Sequence, residues 1–177
     1  MSRLILFSGG VESTAMLTLA NENDIVTTIR DTSKDMYRTY SEKAVEEITK
    51  KLEIPLHYTD IALPLKHRKD FLYQLLTFIH AAGLWVTRFP EIKEVWYGLD
   101  KDGGAGVAKK DFDYCVDFWK RSYPNIELVF PFQYMETKDI WKLIPKDIQK
   151  LVINCTHPQK IQCNDCHKCS VLRKLKG

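Results

Sequence analysis

Leu4-Ile5-Leu6-Phe7-Ser8-Gly9-Gly10-Val11-Glu12-Ser13-Thr14-Ala15 decides the reading of this chain. An apolar run of strand length stops at two glycines, and Met16 to Ala20 then continues with helical composition. Two glycines let the backbone turn sharply and approach a ligand closely. The free N–H groups of a starting helix face the same point, an arrangement suited to phosphate. Gly9-Gly10 alone reads as a tight turn; the strand-to-helix context and the hydroxyls of Ser8, Ser13 and Thr14 favour a phosphate cradle. The candidate phosphate contacts are therefore Ser8, Gly9, Gly10, Val11, Glu12, Ser13 and Thr14. Neither the Walker lysine pattern nor the spaced glycines of the dinucleotide fingerprint occurs here.

Working outward, strand-like runs at Leu4–Phe7, Ile25–Ile29, Leu56–Thr59, Glu94–Gly98 and Glu127–Phe130 alternate with helical patterns at Glu12–Ala20, Ser41–Leu52, Asp70–Val86 and Lys110–Lys120. This alternation predicts an α/β fold with a parallel five-stranded sheet and helices on both faces. Right-handed crossovers bring the loops after Phe7, Ile29, Thr59 and Gly98 to one edge of the sheet. Asp31, Asp60, Asp100 and Asp102 reach that edge, although aspartates also serve in turns for conformational reasons alone. Gly98-Leu99-Asp100-Lys101-Asp102-Gly103-Gly104-Ala105-Gly106 is a polar, glycine-rich loop, read either as a cover over a substrate or as a plain connection.

Composition sets the bounds. A chain of 177 residues, 45% hydrophobic and of net charge +3, suits one core burying roughly 70% of its unfolded surface. Only Arg3 and a few apolar residues precede the glycines, so no secretory signal is read. Phe71 to Val86 is the most apolar long run, but it is short for a bilayer and holds Gln74 and His80; it reads as a buried helix. The expectation is a cytoplasmic, soluble protein without a membrane partner, whose five cysteines serve as thiols or metal ligands.

Four of these, Cys155, Cys163, Cys166 and Cys169, form C-x7-C-x2-C-x2-C, the ligand set of a closed structural zinc site. Such an ion would fix a tail read as too short and polar to pack by hydrophobicity alone. An iron–sulfur cluster is the rival occupant. His157 and His167 are spare imidazoles, and Cys115, in the pattern Phe112, Cys115, Phe118, Trp119, reads as core. Residues 160–177 carry a local charge of +4, from Lys160, Lys168, Arg173, Lys174 and Lys176 against Asp165. Cations are expected beside a tetrathiolate zinc centre on electrostatic grounds. Without a broad basic stripe, a nucleic-acid surface is weakly supported.

The Ser8–Thr14 loop resembles the SGGxDS loop of the ATP-pyrophosphatase superfamily, with Glu12 where the family has Asp. Together with the four-cysteine tail, it resembles the 7-cyano-7-deazaguanine synthases of queuosine biosynthesis. Pro131-Phe132-Gln133-Tyr134-Met135-Glu136-Thr137-Lys138-Asp139-Ile140-Trp141 is similar to that family's Pro-Leu…Thr-Lys-x-x-Ile segment, and Cys163-x-x-Cys166-x-x-Cys169-x-x-x-Arg173 to its terminal pattern.

The resemblance implies an adenine-nucleotide alpha-hydrolase-like (HUP) fold over residues 1–150, with a zinc-binding tail, 151–177, packed on it. It implies ATP, Mg2+ and Zn2+ as cofactors, and 7-carboxy-7-deazaguanine and ammonia as substrates joined through an acyl adenylate. Glu12, Asp100 and Lys138 are the candidate catalytic residues. Asp31 and Gly98 join the loop as nucleotide contacts. Family members are often dimeric, and the aromatic content of Phe71–Trp85 suits a homodimer as well as a buried helix.

Two departures stand out. Ala108-Lys109-Lys110-Asp111-Phe112 replaces the family's Asp-Cys-Arg-Pro-Glu-Phe stretch, and Arg68-Lys69-Asp70 its Arg-Asn pair. Three rival readings follow: a related enzyme joining a deazapurine to a macromolecular amine, an RNA sulfurtransferase sharing the loop, and a non-catalytic nucleotide-binding module.

Overall fold

The computed structural model describes residues 2–31, 40–61, 71–101, 109–155 and 163–177. Asp102, the glycines of 103–106, Arg68-Lys69-Asp70, Ala108, His157 and Lys160 lie outside the described residues.

Five strands, β1 (Ser2–Leu6), β2 (Ile25–Asp31), β3 (Leu56–Ile61), β4 (Ile92–Tyr97) and β5 (Glu127–Val129), make one sheet in the order β3-β2-β1-β4-β5. Every neighbouring pair is parallel. The helices are α1 (Val11–Leu17), α2 (Tyr40–Lys51), α3 (Phe71–Arg88), α4 (Lys109–Ser122), α5 (Thr137–Leu143), α6 (Lys146–Gln149) and α7 (His167–Lys176).

β1 is central, which accounts for its unbroken apolar run: a parallel strand covered on both faces has no solvent side to alternate with. Ile5 and Phe7 face one core with Val11, Val45, Ile48, Ile140, Ile148 and Leu172. Leu4 and Leu6 face the other with Leu75, Ile79, Ala82 and Val86 of α3 and Cys115 and Trp119 of α4. Helices thus cover both faces of the sheet. The apolar content of α3 largely fills the second core, and Cys115 is fully buried there. Among the described residues, no helix is long and apolar enough to cross a membrane.

Among the boundaries that differ from the sequence expectation, three bear on the site. α1 stops at Leu17 because Thr18, Leu19 and Ala20 donate backbone bonds only three residues back, tightening the last turn, and the Thr18 hydroxyl takes the Ala15 carbonyl at 2.7 Å. β2 continues to Asp31, which pairs with Ile61, so Asp31 closes the strand instead of following it. β4 ends at Tyr97, leaving Gly98 as the first loop residue.

The C-terminal helices were not among the helical patterns read from the sequence. α7 buries Leu172 at 1% exposure in the core under β1, with Leu175 packed alongside. The tail therefore has an apolar anchor as well as its cysteines. Lys176 Nζ adds a bond to the Val152 carbonyl at 3.2 Å.

Strand order reverses direction between β1 and β4. The β1 loop departs toward α1 and β2, whereas β4 continues toward β5, so a crevice opens at their carboxyl ends. The loops after β1 and β4 meet at that switch point.

Candidate active site and metal centre

The loop after β1 is built on hydrogen bonds of its own. Phe7 N–H still reaches the Thr27 carbonyl at 2.8 Å, extending the ladder past Leu6. Gly9 then turns through φ +79°, a left-handed conformation that a side chain would strain. Its carbonyl accepts from Ile153 N–H at 3.1 Å, tying the loop to the segment entering the tail. Ser13 Oγ holds the loop closed: it accepts from Ser8 N–H at 3.2 Å, lies 3.1 Å from Ser8 Oγ and reaches the Gly10 carbonyl at 3.3 Å.

Gly10 caps α1 without a side-chain bond, and Thr14 N–H to the Gly10 carbonyl, at 2.9 Å, is the first helical link. The N–H groups of Val11, Glu12 and Ser13 precede that link, so the helix itself offers them no acceptor. That of Glu12 bonds to Glu12's own carboxyl group.

Side chains divide the loop by role. Val11 points into the core, leaving only its backbone for a ligand. Thr14 is fully buried, and its Oγ1 is the one buried polar side-chain atom among the described residues that lacks a partner. Ser8 is exposed, and Gly10 and Glu12 are half-buried. A Cβ placed on Gly10 would enter a hollow lined by three oxygens, Glu12 Oε2 and Ser8 Oγ at 3.6 Å and Asn154 Oδ1 at 3.7 Å.

The β4 loop closes on this one from the side. A Cβ on Gly98 would lie 3.0 Å from both Ser13 N and Glu12 Cβ, so only glycine lets the two loops touch without displacing backbone. Asp100, two residues on, is 4% exposed. It accepts a hydrogen bond from Thr137 Oγ1, at the start of α5, at 2.5 Å.

The Asp100 carboxyl group neighbours that of Glu12. Burial pushes the Glu12 carboxyl above its ordinary value of 4.5; the charge of Lys168 and Glu12's own N–H pull against this, and Asp100 adds to the rise. Tyr97, just before Gly98, is also pushed up, first by burial and then by the charges of Glu12 and Cys115. Two neighbouring carboxyl groups hold a proton between them or share a cation.

The other candidates fall elsewhere. Lys138 follows Thr137 on α5, but its exposed Nζ pairs with Glu136 at 2.6 Å. Asp60 is exposed and forms a two-point ion pair with Arg30 at 2.6 and 2.8 Å. That contact supplies Asp60 with a structural partner across β2 and β3. Sequence reading missed Thr137, Asn154 and Lys168 as neighbours of the loop. Thr137 stood within the Thr-Lys segment, and Lys168 within the basic tail.

The four tail cysteines gather as expected. The sulfurs of Cys155, Cys163, Cys166 and Cys169 all lie within 4.8 Å of one another. Two edges of the cluster, Cys155–Cys163 at 3.5 Å and Cys163–Cys169 at 3.7 Å, are too long for disulfides. They match the edge of about 3.8 Å that a tetrahedron with 2.3 Å zinc–sulfur bonds requires. Cys166 N–H points to Cys163 Sγ and Cys169 N–H to Cys166 Sγ, each at 3.4 Å. The N–H groups of Asp165 and Cys166 hold the Cys163 thiol below its ordinary value of 9.0, favouring the thiolate that a metal binds. The cluster fits a metal such as zinc.

Hard carboxylate oxygens at Glu12 and Asp100 fit magnesium, which commonly takes one or two carboxylates and completes its shell with phosphates and water. The oxygen-lined hollow at Gly10 and the unpartnered Thr14 hydroxyl are the polar features expected where a ligand completes a loop. A scan against protein-family models finds no match to this chain, and a search of curated proteins finds none either.

Proposed function

We propose that this protein is an ATP-dependent carbon–nitrogen ligase that activates a carboxylate by adenylation. On the resemblance of its loop and cysteine tail, its substrate is 7-carboxy-7-deazaguanine and its product, with ammonia, 7-cyano-7-deazaguanine. The observation that carries the reading is the meeting of the Ser8–Thr14 loop with Gly98 and Asp100 at the switch point of a parallel sheet. Two carboxyl groups beside an anion-binding loop repel phosphate unless a cation stands between them. Glu12 and Asp100 would hold magnesium, which would supply that charge and polarise the phosphates.

In the reaction, the substrate carboxylate oxygen attacks the α-phosphorus of ATP, and the α–β bond breaks to release pyrophosphate. Ammonia then displaces AMP from the acyl adenylate, leaving an amide and, after loss of a proton, neutral nitrogen. A second ATP activates the amide oxygen in the same way; loss of AMP and two protons gives the nitrile. In both activations the developing charge lies on pyrophosphate, where the backbone N–H groups of Val11 and Ser13 and the Ser8 hydroxyl stabilise it. Thr137 holds Asp100 in position from below.

Incubation with ATP, magnesium, ammonium and a panel of deazapurine acids, followed by mass spectrometry, tests the substrate. Amide or nitrile from 7-carboxy-7-deazaguanine supports the reading. Turnover only with an added protein or RNA acceptor would replace it with the conjugating enzyme.

A further inference from the structure

We propose that the cysteine-bound tail is part of the nucleotide site, with Lys168 as the cation that meets the phosphates, so that metal loading and nucleotide binding are thermodynamically linked. The inference rests on the nucleotide reading above and adds to it a residue and a coupling.

The loop of residues 8–14 contains neither lysine nor arginine. A polyanion approaching Glu12 and Asp100 therefore needs positive charge from another part of the chain. Lys138 is committed to Glu136. The tail comes to the loop by a short covalent and hydrogen-bonded route. Ile153 N–H bonds to the Gly9 carbonyl, Asn154 presents Oδ1 to the Gly10 hollow, and the next residue, Cys155, is the first sulfur of the metal cluster. Across that cluster, Cys166 and Cys169 bracket Lys168 in the first turn of α7.

The turn is also fastened from behind, by Leu172 in the core and by Lys176 on the Val152 carbonyl. Its orientation relative to the loop is thereby fixed at three points. The positive charge of Lys168 acts on Glu12 across this junction, although the two residues are far apart in sequence. Lys168 is itself exposed, so its amine is free to meet a solvent-borne ligand. A metal that holds Cys166 and Cys169 in register holds the lysine between them over the loop. The coupling must be reciprocal: nucleotide that is held by Lys168 favours the metal-bound arrangement of the turn.

The test uses full-length protein at one zinc per chain, with magnesium and α,β-methylene-ATP, an analogue whose α–β bridge resists cleavage. Calorimetry compares the parent with Lys168→Ala, Lys168→Arg and Lys174→Ala, the last removing an exposed charge farther along α7. Lys168→Ala should weaken binding by about 5-fold or more, within the usual range of coupling energies, while Lys168→Arg and Lys174→Ala stay within about 3-fold of the parent. Saturating analogue should also slow removal of zinc by a chelator in the parent and lose that effect in Lys168→Ala. If the parent binds and Lys168→Ala binds equally well, the tail inference is overturned while the nucleotide reading stands. If the parent does not bind the analogue, both are overturned.

Discussion

The carboxyl group of Asp100 faces that of Glu12 across the junction of the β1 and β4 loops, close enough to raise its pKa. The two residues are 88 positions apart in sequence. The junction exists because Gly98 has no side chain to hold the loops apart and because Thr137 fixes Asp100 from the α5 side.

Burial gives Glu12 a stability signature opposite to that of a surface carboxylate. A carboxyl whose folded pKa is raised contributes stability that is fully present below the unfolded value, near 4.5 here, and is lost as pH rises through the folded value. Glu12→Gln keeps the shape and cannot ionise. In magnesium-free buffer it should therefore be the more stable protein at neutral pH, with the difference closing as pH falls below about 4. Each kcal/mol corresponds to about 2–4 °C in Tm for a chain of this length. Superimposable Tm–pH curves for the two proteins would contradict the buried, raised carboxyl.

Glycines 98 and 10 should separate structure from binding. Gly98→Ala forces a methyl against the Ser13 and Glu12 backbone and should cost about 1–3 kcal/mol in denaturant unfolding. Gly10→Ala meets its neighbours at ordinary contact distance and should cost at most about 1 kcal/mol, mostly from the poorer helix cap. Its methyl nevertheless occupies the oxygen-lined hollow. Binding of the non-hydrolysable analogue should fall by about 10-fold or more, equivalent to about 1.4 kcal/mol. Unchanged binding in Gly10→Ala would remove the hollow from the nucleotide site.

Much of this architecture was readable from the chain because parallel strands carry a strong local signal. The Leu4–Phe7 run marked a strand, and the alternation of strand and helix patterns marked a parallel sheet. Asp100 was visible as an edge residue, but its contacts with Glu12 and Thr137 depend on segments far apart in sequence. The tail was read through its cysteines and charges, which obscured the apolar spacing of Leu172 and Leu175 on α7. Asp60 illustrates the converse: its position at the correct edge was legible, whereas its commitment to Arg30 is a matter of strand register.

The cysteine cluster should hold about one zinc per chain by elemental analysis, giving a colourless protein. Cys166→Ser removes one corner of the tetrahedron together with the acceptor for Cys169 N–H, and should lose zinc. Amide exchange in α7 should accelerate as a consequence, since metal binding is coupled to local folding. Leu172→Ala, which leaves all four thiols in place, should cost about 2–5 kcal/mol through its core cavity. A brown protein containing iron would contradict the zinc assignment, and unaltered α7 exchange in Cys166→Ser would contradict its structural role.

The position of ATP cleavage tests the central claim most directly. With magnesium, ammonium and 7-carboxy-7-deazaguanine present, chromatographic separation of the nucleotides should show AMP and pyrophosphate forming in equal amounts, dependent on the acid substrate. ADP with inorganic phosphate, or no cleavage of ATP under these conditions, would contradict an adenylating ligase built around Glu12 and Asp100.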